Sequence, residues 1–153
     1  MRKNNLIAVA ALLALFALPV LAADSDSAQA CWQPAFEAGD ADAVADCYAE
    51  DAVLWLPGTA MMRGRDAIRE GYVGFFAQFS VRDVKLTEMG RAGSGDETAS
   101  WGTYSMTMVS KSDGSETPSF GRYTDVSRQI DGQWVYLVDH ASDDPAPSPE
   151  ENG

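Results

Sequence analysis

The chain has 153 residues, 46% of them hydrophobic and 22% charged, with 11 Lys and Arg against 23 Asp and Glu for a net charge of −12. That length fits one domain, the apolar content is too high for a disordered chain, and two cysteines are too few for a disulfide-rich scaffold. The acidic balance excludes a nucleic-acid binder that works by neutralising phosphates, and it disfavours docking on anionic lipid.

Residues 1–22 read as a secretory signal. Arg2 and Lys3 precede a run of 13 residues, 6–18, with no charged or polar side chain, and Pro19 ends it ahead of Val20-Leu21-Ala22, which suits cleavage. At about 1.5 Å per residue the run spans about 20 Å, short of the about 20 residues that cross a bilayer. The expectation is a periplasmic or secreted protein with no membrane association after cleavage. Thiols oxidise in that compartment. Cys31 and Cys47, placed symmetrically about Gly39, are therefore expected to pair across a helical hairpin, a link worth about 3 kcal/mol. The alternative is two buried free thiols.

The domain is expected over residues 24–142. A first helix runs from Asp24 to about Ala38, with Ser25 or Ser27 as cap and Trp32 and Phe36 on its inner face. Pro34 makes it bent or late in starting. Gly39 ends it, and Asp40 caps a second short helix to about Tyr48. Residues 52–56 read as a strand stopped by Pro57-Gly58. Residues 64–79 form the clearest helix, with Ile68, Tyr72, Phe75, Phe76 and Phe79 at helical spacing. Strands follow at 81–89, 98–109, 119–130 and 133–141, and Asp131-Gly132 is the two-residue loop of a type I′ hairpin. The Pro-, Ser- and acid-rich tail, 143–153, is expected to be disordered. Helices followed by antiparallel strands make the fold class α+β, with helices on one face of a curved sheet that encloses a cavity open at one end.

A regular final hairpin sets Gln129 opposite Trp134, Ser127 opposite Tyr136, Asp125 opposite Val138 and Tyr123 opposite His140, all on one face. Tyr123, Asp125 and His140 then form one polar cluster, and Arg122 with Asp139 form another on the opposite face. His140 is the sole histidine and suits general acid–base work beside a carboxylate. Its alternative is a structural role at a strand end or a dimer surface. Asp139 is a buried general base or a salt-bridge partner of Arg122. Trp32, Phe36, Tyr48, Trp55, Tyr72, Phe76, Trp101 and Tyr104, with Arg122 and Asp125 as polar handles, are candidates to line a mostly apolar ligand pocket. Packing alone explains many of those rings. With no Gly-rich phosphate loop, no Cys-x-x-Cys and no paired histidines, neither a metal site nor a cofactor is expected.

The stretches Phe36-Glu-Ala-Gly39-Asp40-Ala-Asp-Ala-Val, Cys47-Tyr48-Ala49-Glu50-Asp51-Ala52-Val53-Leu54 and Arg63-Gly64-Arg65-Asp66-Ala67-Ile68 resemble the nuclear transport factor 2-like superfamily, which includes SnoaL-like cyclases and ketosteroid isomerase. Gly102-Thr-Tyr104 and Asp131-Gly132-Gln-Trp134 are similar to its later strands. Asp139-His140-Ala-Ser142 resembles the association-domain branch of calcium/calmodulin-dependent kinases. The resemblance implies a cone, a strongly bent antiparallel sheet wrapped around N-terminal helices, and a homodimer through the outer sheet face. Matching to the isomerase branch favours Val126, Leu137 and Asp139 pointing inward and Trp134, Tyr136 and Tyr123 as an interface patch. The match also implies what is missing. Leu56 stands where that branch carries its carboxylate base, Trp32 where it carries its oxyanion tyrosine, and Val126 where it carries its second oxyanion acid. Enolisation needs a base and a donor for the developing charge, so steroid isomerisation is rejected.

Three functional expectations follow. The first is an exported protein that binds a small, mostly apolar molecule. The second is a lyase, isomerase or hydrolase using Asp139 or His140 as acid–base and Tyr104 or Tyr123 as donor. The third is a dimeric assembly module whose cone is filled by Trp32, Trp55, Phe75 and Trp101.

Overall fold

The computed structural model describes residues 27–144; the expected signal segment and the tail beyond 144 lie outside them. α1 (Ala28–Ala38) starts later than Asp24 and accommodates Pro34 inside. Gly39, at φ 69°, closes it in the left-handed conformation, its N–H returning to the Ala35 and Phe36 carbonyls. Asp40 caps α2 (Ala41–Ala45) by accepting the Ala43 N–H at 3.0 Å. α2 is shorter than expected because Tyr48 opens β1 (Tyr48–Trp55) and pairs with the last strand. β2 (Met62–Arg63) precedes α3 (Arg65–Gln78), whose Ile68, Tyr72 and Phe76 are buried. Cys31 and Cys47 form the disulfide, tying α1 to the segment after α2 with Cα atoms 5.7 Å apart.

Four long strands follow: β3 (Phe79–Ser94), β4 (Glu97–Ser110), β5 (Glu116–Ile130) and β6 (Gln133–Asp143). Together with β1 and β2 they form one six-stranded sheet in the order β2-β1-β6-β5-β4-β3. All neighbours are antiparallel except β1 and β6, which run parallel. The fold is α+β, a curved, unclosed sheet with the helices packed in its hollow. Ala28, Trp32 and Phe36 of α1, Ile68, Tyr72 and Phe76 of α3, and Tyr48, Leu54, Val135 and Tyr136 of the sheet make one buried cluster.

The β5–β6 hairpin turns through Asp131 and Gly132, both at positive φ (52° and 84°), as a type I′ loop requires. Ile130 pairs with Gln133, and Ser127 with Tyr136, but Val126 pairs with Val138. Leu137 is therefore an extra residue on β6, a bulge. Beyond it the expected pairing fails by one position, and Asp125 meets Asp139 while Thr124 meets His140. A one-residue slip exchanges the two faces of a strand.

Candidate functional site

The bulge decides which chemistry enters the cone. One row of partners, Ser100, Asp125, Asp139 and Leu54, runs across β4, β5, β6 and β1. Ser100, Asp125 and Leu54 are buried there, and Asp125, Asp139 and Leu54 line the cavity. The next row, Trp101, Thr124, His140 and Trp55, runs across the same strands on the convex face. Asp139 thus faces inward, as the match to the isomerase branch favours, while His140 faces outward instead of grouping with Tyr123 and Asp125.

The hollow encloses about 470 Å³. α1 contributes Gln29, Trp32 and Phe36, α3 contributes Tyr72 and Phe75, and the segment after β1 contributes Leu56 and Pro57. Leu86 of β3, Tyr104, Met106 and Met108 of β4, Tyr123 of β5 and Tyr136 of β6 complete most of the wall. Three carboxylates, Asp125, Asp139 and Asp143, line it, and among the described residues no Lys, Arg or His does.

Asp139 ends a chain of buried hydroxyls. The Trp32 indole N–H donates to the Tyr72 hydroxyl at 3.1 Å, Tyr72 and Tyr48 share a hydrogen bond at 3.1 Å, and Tyr48 donates to Asp139 Oδ2 at 2.7 Å. A phenol has one proton to give. Since Tyr48 gives its proton to the carboxylate, Tyr72 must donate to Tyr48, and every link points toward Asp139. Burial pushes the Asp139 carboxyl up to about 6; the Tyr48 hydrogen bond opposes the rise and the nearby Asp125 charge adds to it. Burial also raises the Tyr48 and Tyr72 phenols, with the Asp139 charge adding to both.

Asp125 is tied down on both oxygens. Ser100 Oγ donates to Oδ1 at 2.7 Å and the Gln29 amide to Oδ2 at 3.1 Å. Its carboxyl is raised too, by burial. The buried Tyr123 hydroxyl sits against Gly102; it has no partner of good hydrogen-bond geometry among the described residues, and the Gln29 amide is the polar group that eases its burial. Toward the end of β6, Tyr104 donates to Asp143 at 2.8 Å, and burial, reinforced by that bond, lifts its phenol to about 12.

Of the expected site residues, Asp139, Tyr123, Trp32, Phe36, Tyr72, Tyr104 and Asp125 line the cavity. Tyr48 sits behind the wall as the donor to Asp139, and Phe76 packs in the core. The structure places the other four away from the cavity. Trp55 is 54% exposed and stacks obliquely on His140 with ring centres 5.6 Å apart. Trp101, 42% exposed, lies across Gly90. Arg122 is an outward residue of β5 and pairs with Asp144 at 2.6 Å rather than with Asp139. The inward placement of Tyr123 and Tyr136 also overturns their expected place in an interface patch, while Val126 pairs with the exposed Val138. Gln29, Tyr136 and Asp143 join the wall without having been anticipated. Only the bulge turns Tyr136 inward alongside Asp139, and Asp143, expected to open the disordered tail, instead ends β6. Among the described residues no group of three or more His, Cys, Asp or Glu is placed to hold a metal ion.

A SnoaL-like domain model matches residues 28–137. No curated protein matches the chain. Solved structures do. A ketosteroid isomerase-like protein from Erwinia carotovora atroseptica is 25% identical, with a TM-score of 0.69 over 77% of this chain and 92% of that one. A protein from Xanthomonas campestris, described provisionally as a calcium/calmodulin dependent protein kinase II association domain, is 25% identical, with a TM-score of 0.62 over 76% and 82%. A member of the NTF2-like family from Streptomyces avermitilis, described provisionally as a dehydratase, has a TM-score of 0.63 at 20% identity over 78% and 93% and shares the fold.

Proposed function

Because the chain belongs to the SnoaL-like domain family, we propose that it is an exported protein that binds a small, mostly apolar molecule inside its cone. The observation that carries this reading is the hollow of about 470 Å³, walled by aromatic and Met side chains with few polar groups. That size and lining are those of a small-molecule site. The filled-cone alternative loses two of its four plugs, since Trp55 and Trp101 stand on the outer face. The Cys31–Cys47 disulfide supports export, because such links persist in oxidising compartments. A homodimer through the convex row of Trp55, His140 and Trp101 fits the exposure of both tryptophans.

The test is native mass spectrometry of protein purified from the periplasm of an expressing cell. A molecule that co-purifies and is lost on denaturation supports the reading. Protein that is empty, and that also fails to displace or take up an environment-sensitive apolar dye, overturns it.

One observation favours a second reading, an enzyme of the lyase, isomerase or hydrolase type. Asp139 is a partly buried carboxyl on the cavity wall, pushed up to about 6 and held by a tyrosine, which suits general acid–base chemistry near neutral pH. Conversion of the co-purified molecule by the wild type and not by Asp139→Asn would establish it. His140, on the outer face, has no part in that chemistry.

A further inference from the structure

We propose that the cavity selects an organic cation: an apolar amine in its protonated form, with its nitrogen on the free oxygen of Asp139 and its body among the aromatic rings. This inference rests on the small-molecule-binding reading and adds the chemical class of the ligand.

Three independent features of the wall point the same way. The first is charge. Asp125, Asp139 and Asp143 line the chamber with no basic side chain among the described residues, in a chain whose net charge is −12. Inside a low-dielectric hollow that arrangement repels carboxylates and phosphates and attracts cations. The second is the rings. Trp32, Phe36, Tyr72, Phe75 and Tyr104 share the wall, and their faces attract an ammonium group by its interaction with the ring quadrupole. The third is the unequal satisfaction of the polar groups. Both Asp125 oxygens accept hydrogen bonds, whereas Asp139 accepts one, from Tyr48 on Oδ2, and its Oδ1 has none among the described residues. A partly buried carboxylate whose open oxygen faces an apolar chamber gains from any donor that enters it. The relay from Trp32 through Tyr72 and Tyr48 fixes the other oxygen, so the open one is held in place for an incoming N–H donor.

The experiment is calorimetric titration of the wild type with three probes of one shape: 1-naphthylmethylamine, 1-naphthylmethanol and 1-naphthoate. The expected result is that the amine binds at least about tenfold more tightly than the alcohol, with no measurable binding of the carboxylate. In Asp139→Asn, which still accepts the Tyr48 proton, the amine affinity falls to that of the alcohol and the alcohol affinity is unchanged. Equal affinity for amine and alcohol in the wild type overturns the cation preference while leaving the small-molecule site standing. A preference that survives in Asp139→Asn overturns the assignment to that carboxylate. Failure of all three probes overturns both the inference and the reading beneath it. The wild-type comparison alone decides the preference should the variant fold poorly.

Discussion

Asp125 and Asp139 are direct partners across β5 and β6 and face the same hollow, an arrangement that exists only because Leu137 adds one residue to β6. Two carboxylates on adjacent strands in a buried wall repel each other and resist ionisation. The fold separates their roles by hydrogen bonding. Asp125 is held by Ser100 and Gln29, and Asp139, among the described residues, by Tyr48 alone.

The raised Asp139 carboxyl makes stability depend on pH with a definite sign. Its folded value, about 6, lies above its ordinary 3.8, so the folded chain holds this proton more tightly than the unfolded chain. The contribution is fully present below pH 3.8 and is lost as pH rises through about 6. Asp139→Asn removes the penalty of a buried charge and keeps the acceptor for Tyr48. It should stabilise the protein at pH 8 by at most about 3 kcal/mol, and the gain should vanish near pH 4. Urea unfolding of both proteins across that range measures it; a destabilised variant at pH 8 contradicts it.

Tyr123→Phe removes a buried hydroxyl that has no partner of good geometry among the described residues. Losing an unsatisfied polar group costs nothing and relieves its desolvation, so the variant should be neutral or more stable by up to about 1 kcal/mol. A loss of more than that in a denaturant titration would mean that the hydroxyl is hydrogen-bonded in solution.

Reducing the Cys31–Cys47 link, or replacing both residues by Ser, frees a loop of sequence separation 16 in the unfolded chain. The unfolding midpoint should drop by the equivalent of about 3 kcal/mol. Both sulfurs flank the α1–α2 turn and neither lines the cavity, so probe affinity at temperatures below the new midpoint should be unchanged. A large change in affinity would show that the link shapes the pocket.

Gly102→Ala should be among the most damaging small substitutions. A Cβ there meets the Thr87 carbonyl oxygen and comes within 2.8 Å of the Tyr123 hydroxyl. Backbone cannot yield as a flexible side chain does, and a loss of at least about 2 kcal/mol in thermal or denaturant unfolding is expected. Gly95→Ala meets nothing within 4 Å but sits at φ 67°, so it serves as the strain-only comparison and should lose less.

Much of the architecture can be read from local pattern. Gly39 and Asp40 set a helix end and a helix start, the spacing of Ile68, Tyr72 and Phe76 marks α3, and Asp131-Gly132 builds the hairpin as its chemistry demands. These signals work because each is satisfied within a few residues. The site is less legible. Leu137 carries no mark in the sequence that distinguishes a bulge from an ordinary strand residue, yet its insertion exchanges Asp139 and His140 between the faces. Trp55 and Trp101 also show that aromatic residues of one composition divide between wall and outer surface according to strand alternation, which depends on where each strand begins. β1 began earlier than its sequence suggested because the partner that fixes it, β6, lies more than eighty residues away.

The strand made last is seated in the middle of the sheet, between the first strand and the fifth. Until it arrives, β1 and β5 each present an open edge, and no arrangement of the earlier residues can seal the wall. Completion waits on a closure between distant parts of the chain, which is slow compared with helix formation. The same wiring means that a product cut short before Gln133 lacks the strand that joins β1 to β5 and leaves two unpaired edges open to proteases and to its own copies.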